Sequence, residues 1–126
     1  MEWQKKGKRE RRKLVVRIDE ILKLFRNAKR WTKGFFAKDE FNNSVYSDYP
    51  GAVCWCLAGA INKVCAESNC RSSTNLLSLF VEGAINQLYP KTCSAITYWN
   101  DQPQTTIKDV RSVLRLAKKN VLATLE

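Results

Sequence analysis

The sequence predicts an all-α fold: a compact bundle of about four helices with a long loop between the first two. Three observations carry that expectation. The decad Ala52–Ile61 holds no charge and no strong hydrogen-bonding side chain. At half the roughly twenty residues needed to span a bilayer, it belongs in a protein core. Apolar residues also recur at three- and four-residue steps in three further stretches, and the turn and capping residues fall between those stretches.

The first helix is expected from Arg12 to Arg30, with Leu14, Ile18, Ile21, Leu22, Phe25 and Ala28 inward, and Trp31–Gly34 ending it. Residues 35–49, rich in Asn, Asp, Ser and aromatics, read as the long loop. Asp48 is placed to cap a second helix that has Pro50 in its first turn and runs through the decad to about Ala66. A polar link at Ser68–Ser73 leads to a third helix with Leu76, Leu77, Phe80, Ala84 and Leu88 inward, stopped by Pro90. Residues 91–104 read as irregular, or briefly extended through Ile96–Tyr98. The last helix opens on a Thr106–Asp109 capping box and carries an inward stripe of Ile107, Val110, Leu114, Ala117, Val121 and Leu125. The tetrapeptide Gly-Ala-Ile-Asn occurs at Gly59–Asn62 and Gly83–Asn86, which shared packing demands explain better than a duplication.

Length and composition predict one domain, divided here into a basic arm at 1–13, mobile or a frayed helix start, and a helical domain at 14–126. The +10 formal charge is segregated. Residues 1–33 carry thirteen Lys and Arg against four acids, residues 34–104 four against six, and residues 105–126 five against two. Basicity therefore sits at the two ends of a nearly neutral middle. Cys54, Cys56, Cys65, Cys70 and Cys93 are odd in number and accompany no export signal, so they read as free thiols serving as small hydrophobes. With no C-x2-C pair and no histidine, neither a metal nor a cofactor is expected.

Three segments together resemble a family of small, largely uncharacterised bacterial and phage proteins, a domain of unknown function. They are Trp31–Asp39, Ala52–Ala60, and Trp99-Asn100-Asp101-Gln102-Pro103 followed by Thr106 and Asp109-Val110. The resemblance spans about Leu24 to Ala117. It departs at Lys38, where the family more typically has Arg, and it excludes the basic arm. It implies an all-α fold without supplying an activity; the cytoplasm, of a bacterial cell or phage-infected host, is expected because the sequence shows no signal-peptide segment and no membrane span.

Chemistry has few footholds. No histidine is present to act as a base near neutral pH, and no phosphate-cradling glycine loop occurs, so an enzyme is not expected. Nucleic acid is the leading partner, contacted at its phosphates by Lys5, Lys6, Lys8, Arg9, Arg11, Arg12 and Lys13 of the arm and by Lys108, Arg111, Arg115, Lys118 and Lys119 of the last helix. Trp3 could stack on a base. A second reading is a phage-type inhibitor or regulator docking on a host or defence protein, which needs no catalytic group. A third is a small-ligand or nucleotide pocket of Trp31, Trp55 and Trp99 with Asp39, Asn100 and Asp101. Against it stands the plainer expectation that Asn100 and Asp101 brace a turn, that Asp39 bonds a backbone amide or lysine, and that the indoles fill the core. No membrane span is expected.

Overall fold

Leu14, Ile18, Ile21 and Phe25, spaced by three and four residues, are fully buried and define the inner face of the first helix. The computed structural model describes residues 2–68 and 73–126, with side chains of the first helix from Gly7 onward. Among these residues the protein is mainly helical, with α1 (Glu2–Leu24), α2 (Leu57–Glu67), α3 (Ser73–Leu88), α4 (Ile96–Asn100) and α5 (Ile107–Ala123). Two short strands, β1 (Ala37–Asp39) and β2 (Ala52–Trp55), pair antiparallel with a bulge between Lys38 and Asp39. This small sheet corrects the all-α expectation. No helix of the described residues is long and apolar enough to cross a membrane.

Helix α5 packs on α1 and α3, α2 packs on the same two helices, and α4 lies across α2 and α3. The buried stripe of α5 is Val110, Val113, Leu114, Ala117 and Val121, with Ile107 and Leu125 half-buried. Truncating a core leucine such as Leu114 to alanine would cost about 2–5 kcal/mol. The start of α5 is held as the sequence predicts. Thr106 Oγ1 accepts the Asp109 amide, and Asp109 Oδ2 accepts the Thr106 amide at 2.9 Å.

Several expected boundaries shift. Helix α1 begins at Glu2, so residues 2–13 are its first half, and it ends at Leu24 rather than Arg30. Asn27 then caps a 3-10 turn at Ala28–Arg30, its side chain accepting the Lys29 amide at 3.0 Å. The decad is split: Ala52–Trp55 is strand, and α2 starts only at Leu57, capped by Cys56 instead of Asp48. An unbroken apolar run fits a buried strand as well as a buried helix, and pairing with Ala37–Asp39 decided between them. Ile96–Asn100 is helical rather than extended. On α3 the inward face is Ser73, Leu77, Val81, Ala84 and Ile85, leaving Leu76 and Leu88 exposed. The expected stripe was turned by about one position because apolar residues lie on more than one side of this helix. Cys56 and Cys65 are buried, Cys54 is half-buried and Cys93 exposed, while Cys70 lies outside the described residues.

Candidate functional site

The N-terminal and C-terminal long helices run antiparallel, and two contacts fix their register. The Arg111 guanidinium donates to the Phe25 carbonyl from Nε (3.1 Å) and Nη2 (2.7 Å), and to the Arg26 carbonyl from Nη2 (3.2 Å). It thereby satisfies carbonyls left unpaired at the end of α1. One helical interval further back, Lys118 Nζ pairs with Asp19 Oδ1 at 2.8 Å. Carried along at 1.5 Å per residue, this register sets the end of α5 opposite Leu14, so about twelve residues of α1, roughly 18 Å, extend beyond it. Among the described side chains of α1, Leu14 is the first that is buried, and none from Gly7 to Lys13 is.

Basic residues are spaced along one line of each helix. Lys8, Arg12, Asp19, Lys23 and Arg26 follow one line along α1 at steps of three, four or seven. Lys108, Arg111, Arg115 and Lys118–Lys119 do so along α5. Since Asp19 and Lys118 touch, and Arg111 touches the end of α1, the two lines are neighbours. Of the twelve predicted contacts, Lys8, Arg12, Lys108, Arg115 and Lys119 are exposed, Lys8 and Arg12 on the part of α1 that extends beyond α5. Lys118 and Arg111 are engaged in holding the helices together. Arg9 and Lys13 are also exposed, with Lys13 3.4 Å from Glu10. Arg11 lies back beside Gly7, its Nε shielded and without a partner. The side chains of Trp3, Lys5 and Lys6 lie outside the described residues.

The six residues expected to form a ligand pocket divide into three arrangements. Asn100, fully buried, is the centre of the first. Its Oδ1 accepts the Trp31 indole N–H at 2.7 Å and the Leu57 amide at 3.0 Å, and its Nδ2 donates to the Thr32 carbonyl at 3.1 Å and Asp101 Oδ1 at 2.9 Å. Asp101 Oδ1 also accepts the amide of Gly34, which sits at φ 82°, a conformation that favours glycine. Lys33 Nζ donates to the Gln102 carbonyl at 2.6 Å. Together these bonds latch the Trp31–Gly34 segment and the start of α2 to the end of α4. Trp55 joins through its carbonyl, which accepts the Thr32 amide, while its indole donates to the Ser47 carbonyl at 2.9 Å. Trp99 is buried against Tyr89, ring centroids 5.5 Å apart. Asp39 sits in its own turn, accepting the amides of Phe41 (3.0 Å) and Asn43 (2.8 Å), which hold its carboxyl below the usual range, the Asn43 amide most. The polar groups of this constellation thus serve the fold.

The latch has a second part at Cys56, whose Sγ accepts the Gly59 amide at 3.3 Å. Burial pushes this thiol's pKa up, leaving it less nucleophilic than a free cysteine. Beside it is a small recess of about 250 Å³ that includes Gly34, Phe36, Thr97 and Asp101.

A larger cleft, about 900 Å³, opens between the Ser44–Tyr49 loop and the wall formed by Asn62, Ala66 and Thr74. Sequence reasoning treated this stretch only as a connection. The available signal was five aromatic rings, Phe35, Phe36, Phe41, Tyr46 and Tyr49, in a turn-rich segment that offers little core to bury them.

These features describe a small, mainly helical protein with a latched loop and a cationic two-helix flank. The chain belongs to a family of unknown function (DUF6197), whose model matches residues 18–120. The match takes in the latch and the aromatic cleft and begins inside α1, after the basic residues 5–13. No curated protein and no solved structure matches the chain.

Proposed function

We propose that this protein binds nucleic-acid phosphates through the flank shared by α1 and α5, and acts by binding rather than turnover. The reading is supported by exposed lysines and arginines along α5 and along the stretch of α1 that continues past its end, on two helices held in antiparallel register by the Lys118–Asp19 and Arg111–Phe25 contacts. Lysines and arginines so spaced release counterions from a phosphate backbone while carrying little base information, so recognition is largely independent of sequence. A non-catalytic role is supported by the lack of histidine in the sequence and by the buried, poorly ionised Cys56 thiol.

The test is fluorescence anisotropy of labelled duplex DNA and single-stranded RNA over a salt series. The full chain is compared with a variant carrying Lys8→Glu, Arg12→Glu, Arg115→Glu and Lys119→Glu. These side chains are exposed and engage no partner among the described residues, so stability should hold within about 0.5 kcal/mol. The expected result is affinity that falls steeply with salt in the parent, and at least about tenfold weaker binding with a shallower salt slope in the variant. Equal affinity and equal slope in the two proteins would remove the proposal.

A further inference from the structure

We infer that the cleft between the Ser44–Tyr49 loop and the α2–α3 wall binds a small organic cation, an ammonium carried on an apolar or aromatic body. The volume, about 900 Å³, is that of a small-molecule site. Its rings are presented to solvent: Tyr46 is 86% exposed, Phe36 52% and Tyr49 50%. Asp48 is the one charged residue among the described residues of the lining. Its carboxylate engages no partner among the described residues, and neither do the side chains of Asn62 and Thr74 or the two tyrosine hydroxyls. The contrast with the latch is direct, because there the polar atoms of Asn100 are all used within the chain.

The aromatic neighbours make the same distinction. Phe35, Trp31 and Trp55 already carry a lysine ammonium over the ring, from Lys38 at 4.5 Å, Lys33 at 5.5 Å and Lys63 at 5.2 Å. Phe36, Tyr46 and Tyr49 carry none among the described residues. Electron-rich faces beside a single carboxylate, with no basic side chain among the described residues of the lining, attract a cation and repel a phosphate.

The loop side of the cleft is also held by bonds within the chain. The Val45 amide donates to the Ala37 carbonyl, the Tyr49 amide to Tyr46, and the Ala52 amide to Tyr49, while Ser47 is held by the Trp55 indole. Tyr49 lies flat over Gly51, where a Cβ would stand 2.5 Å from the ring.

The experiment titrates the full chain with N-benzyltrimethylammonium and, separately, with benzenesulfonate, following backbone amide shifts by NMR. The expected result is saturable shifts confined to residues 44–49 and the facing positions 62, 66 and 74 with the cation only. Asp48→Asn should weaken that binding by about tenfold, and Tyr46→Ala by a similar factor. Because Asp48 is exposed and supports no contact of the fold, Asp48→Asn keeps the test decisive even if a tyrosine variant unfolds. No saturable shift, shifts centred elsewhere, equal response to benzenesulfonate, or unchanged affinity in Asp48→Asn would each overturn the inference.

Discussion

The Tyr89 hydroxyl donates to Asp109 Oδ1 at 2.9 Å, so the end of α3 is tied to the carboxylate that caps α5. Burial, with the Asp109 carboxylate beside it, pushes the Tyr89 pKa up to about 12 from 10.0. A folded value above the unfolded one gives stability that is complete below pH 10 and lost as pH rises toward 12. Asp109 moves the other way. Burial alone would raise its pKa, but bonds from the Thr106 amide, the Tyr89 and Thr106 hydroxyls and the charge of Lys108 outweigh it and lower it from 3.8. Its contribution is present above that value and lost as pH falls through the lower folded value. Chemical denaturation from pH 3 to 12 should therefore show losses at both ends. Tyr89→Phe should remove the alkaline loss attached to this group and cost about 1 kcal/mol at neutral pH.

Removing Asn100 should be among the most damaging single changes. Asn100→Ala leaves the Trp31 indole N–H and the Leu57 amide without their acceptor, at about 1–3 kcal/mol for each buried group. Asn100→Asp keeps the acceptor but turns a donor toward Asp101 and the Thr32 carbonyl into a carboxylate oxygen, so it should not rescue the fold. Urea melts followed by tryptophan fluorescence check both, and a loss below about 1 kcal/mol in Asn100→Ala would contradict the latch.

The two copies of Gly-Ala-Ile-Asn should respond oppositely to the same substitution. A Cβ at Gly59 would lie 1.8 Å from the Phe36 carbonyl oxygen, whereas at Gly83 it meets open space. Gly59→Ala is expected to cost about 3 kcal/mol, and Gly83→Ala to stabilise α3 by about 0.5–1 kcal/mol. Thermal denaturation of the two variants measures this directly.

Arg111 separates charge from geometry. Arg111→Lys keeps the positive charge on the α5 flank but loses the fork that spans the Phe25 and Arg26 carbonyls. It should lower stability by about 1 kcal/mol while leaving the salt slope of nucleic-acid binding unchanged, as paired melts and anisotropy titrations would record.

How much of this was legible in the sequence depends on whether a residue's partner is near it in the chain. The Thr106–Asp109 box and the inward positions Leu14, Ile18, Ile21 and Phe25 of α1 and Val110, Leu114, Ala117 and Val121 of α5 are local or periodic, and they read correctly, whereas Ala28, expected inward, lies exposed in the turn after α1. The partner of Ala52–Trp55 is a strand fifteen residues earlier, flanked by a bulge, and no local signal favoured it over helix. Asn100 and Asp101 stood out as polar positions within the family resemblance, and bracing was one of the two roles weighed for them. Which chain segments they brace is a matter of topology. Asp48 was credited with a cap because it precedes Pro50, but the turn geometry of Tyr46–Ala52 directs it into the cleft instead.

The Asn100 side chain joins positions 69 and 43 residues away in sequence. Such remote closures must wait until most of the chain has been arranged, unlike the neighbour contacts within a helix. On that ground the latch is expected to close late in folding, after the helices it joins have formed. Cutting the chain between Thr32 and Asn100 would separate both sides of that closure, so neither fragment should persist alone.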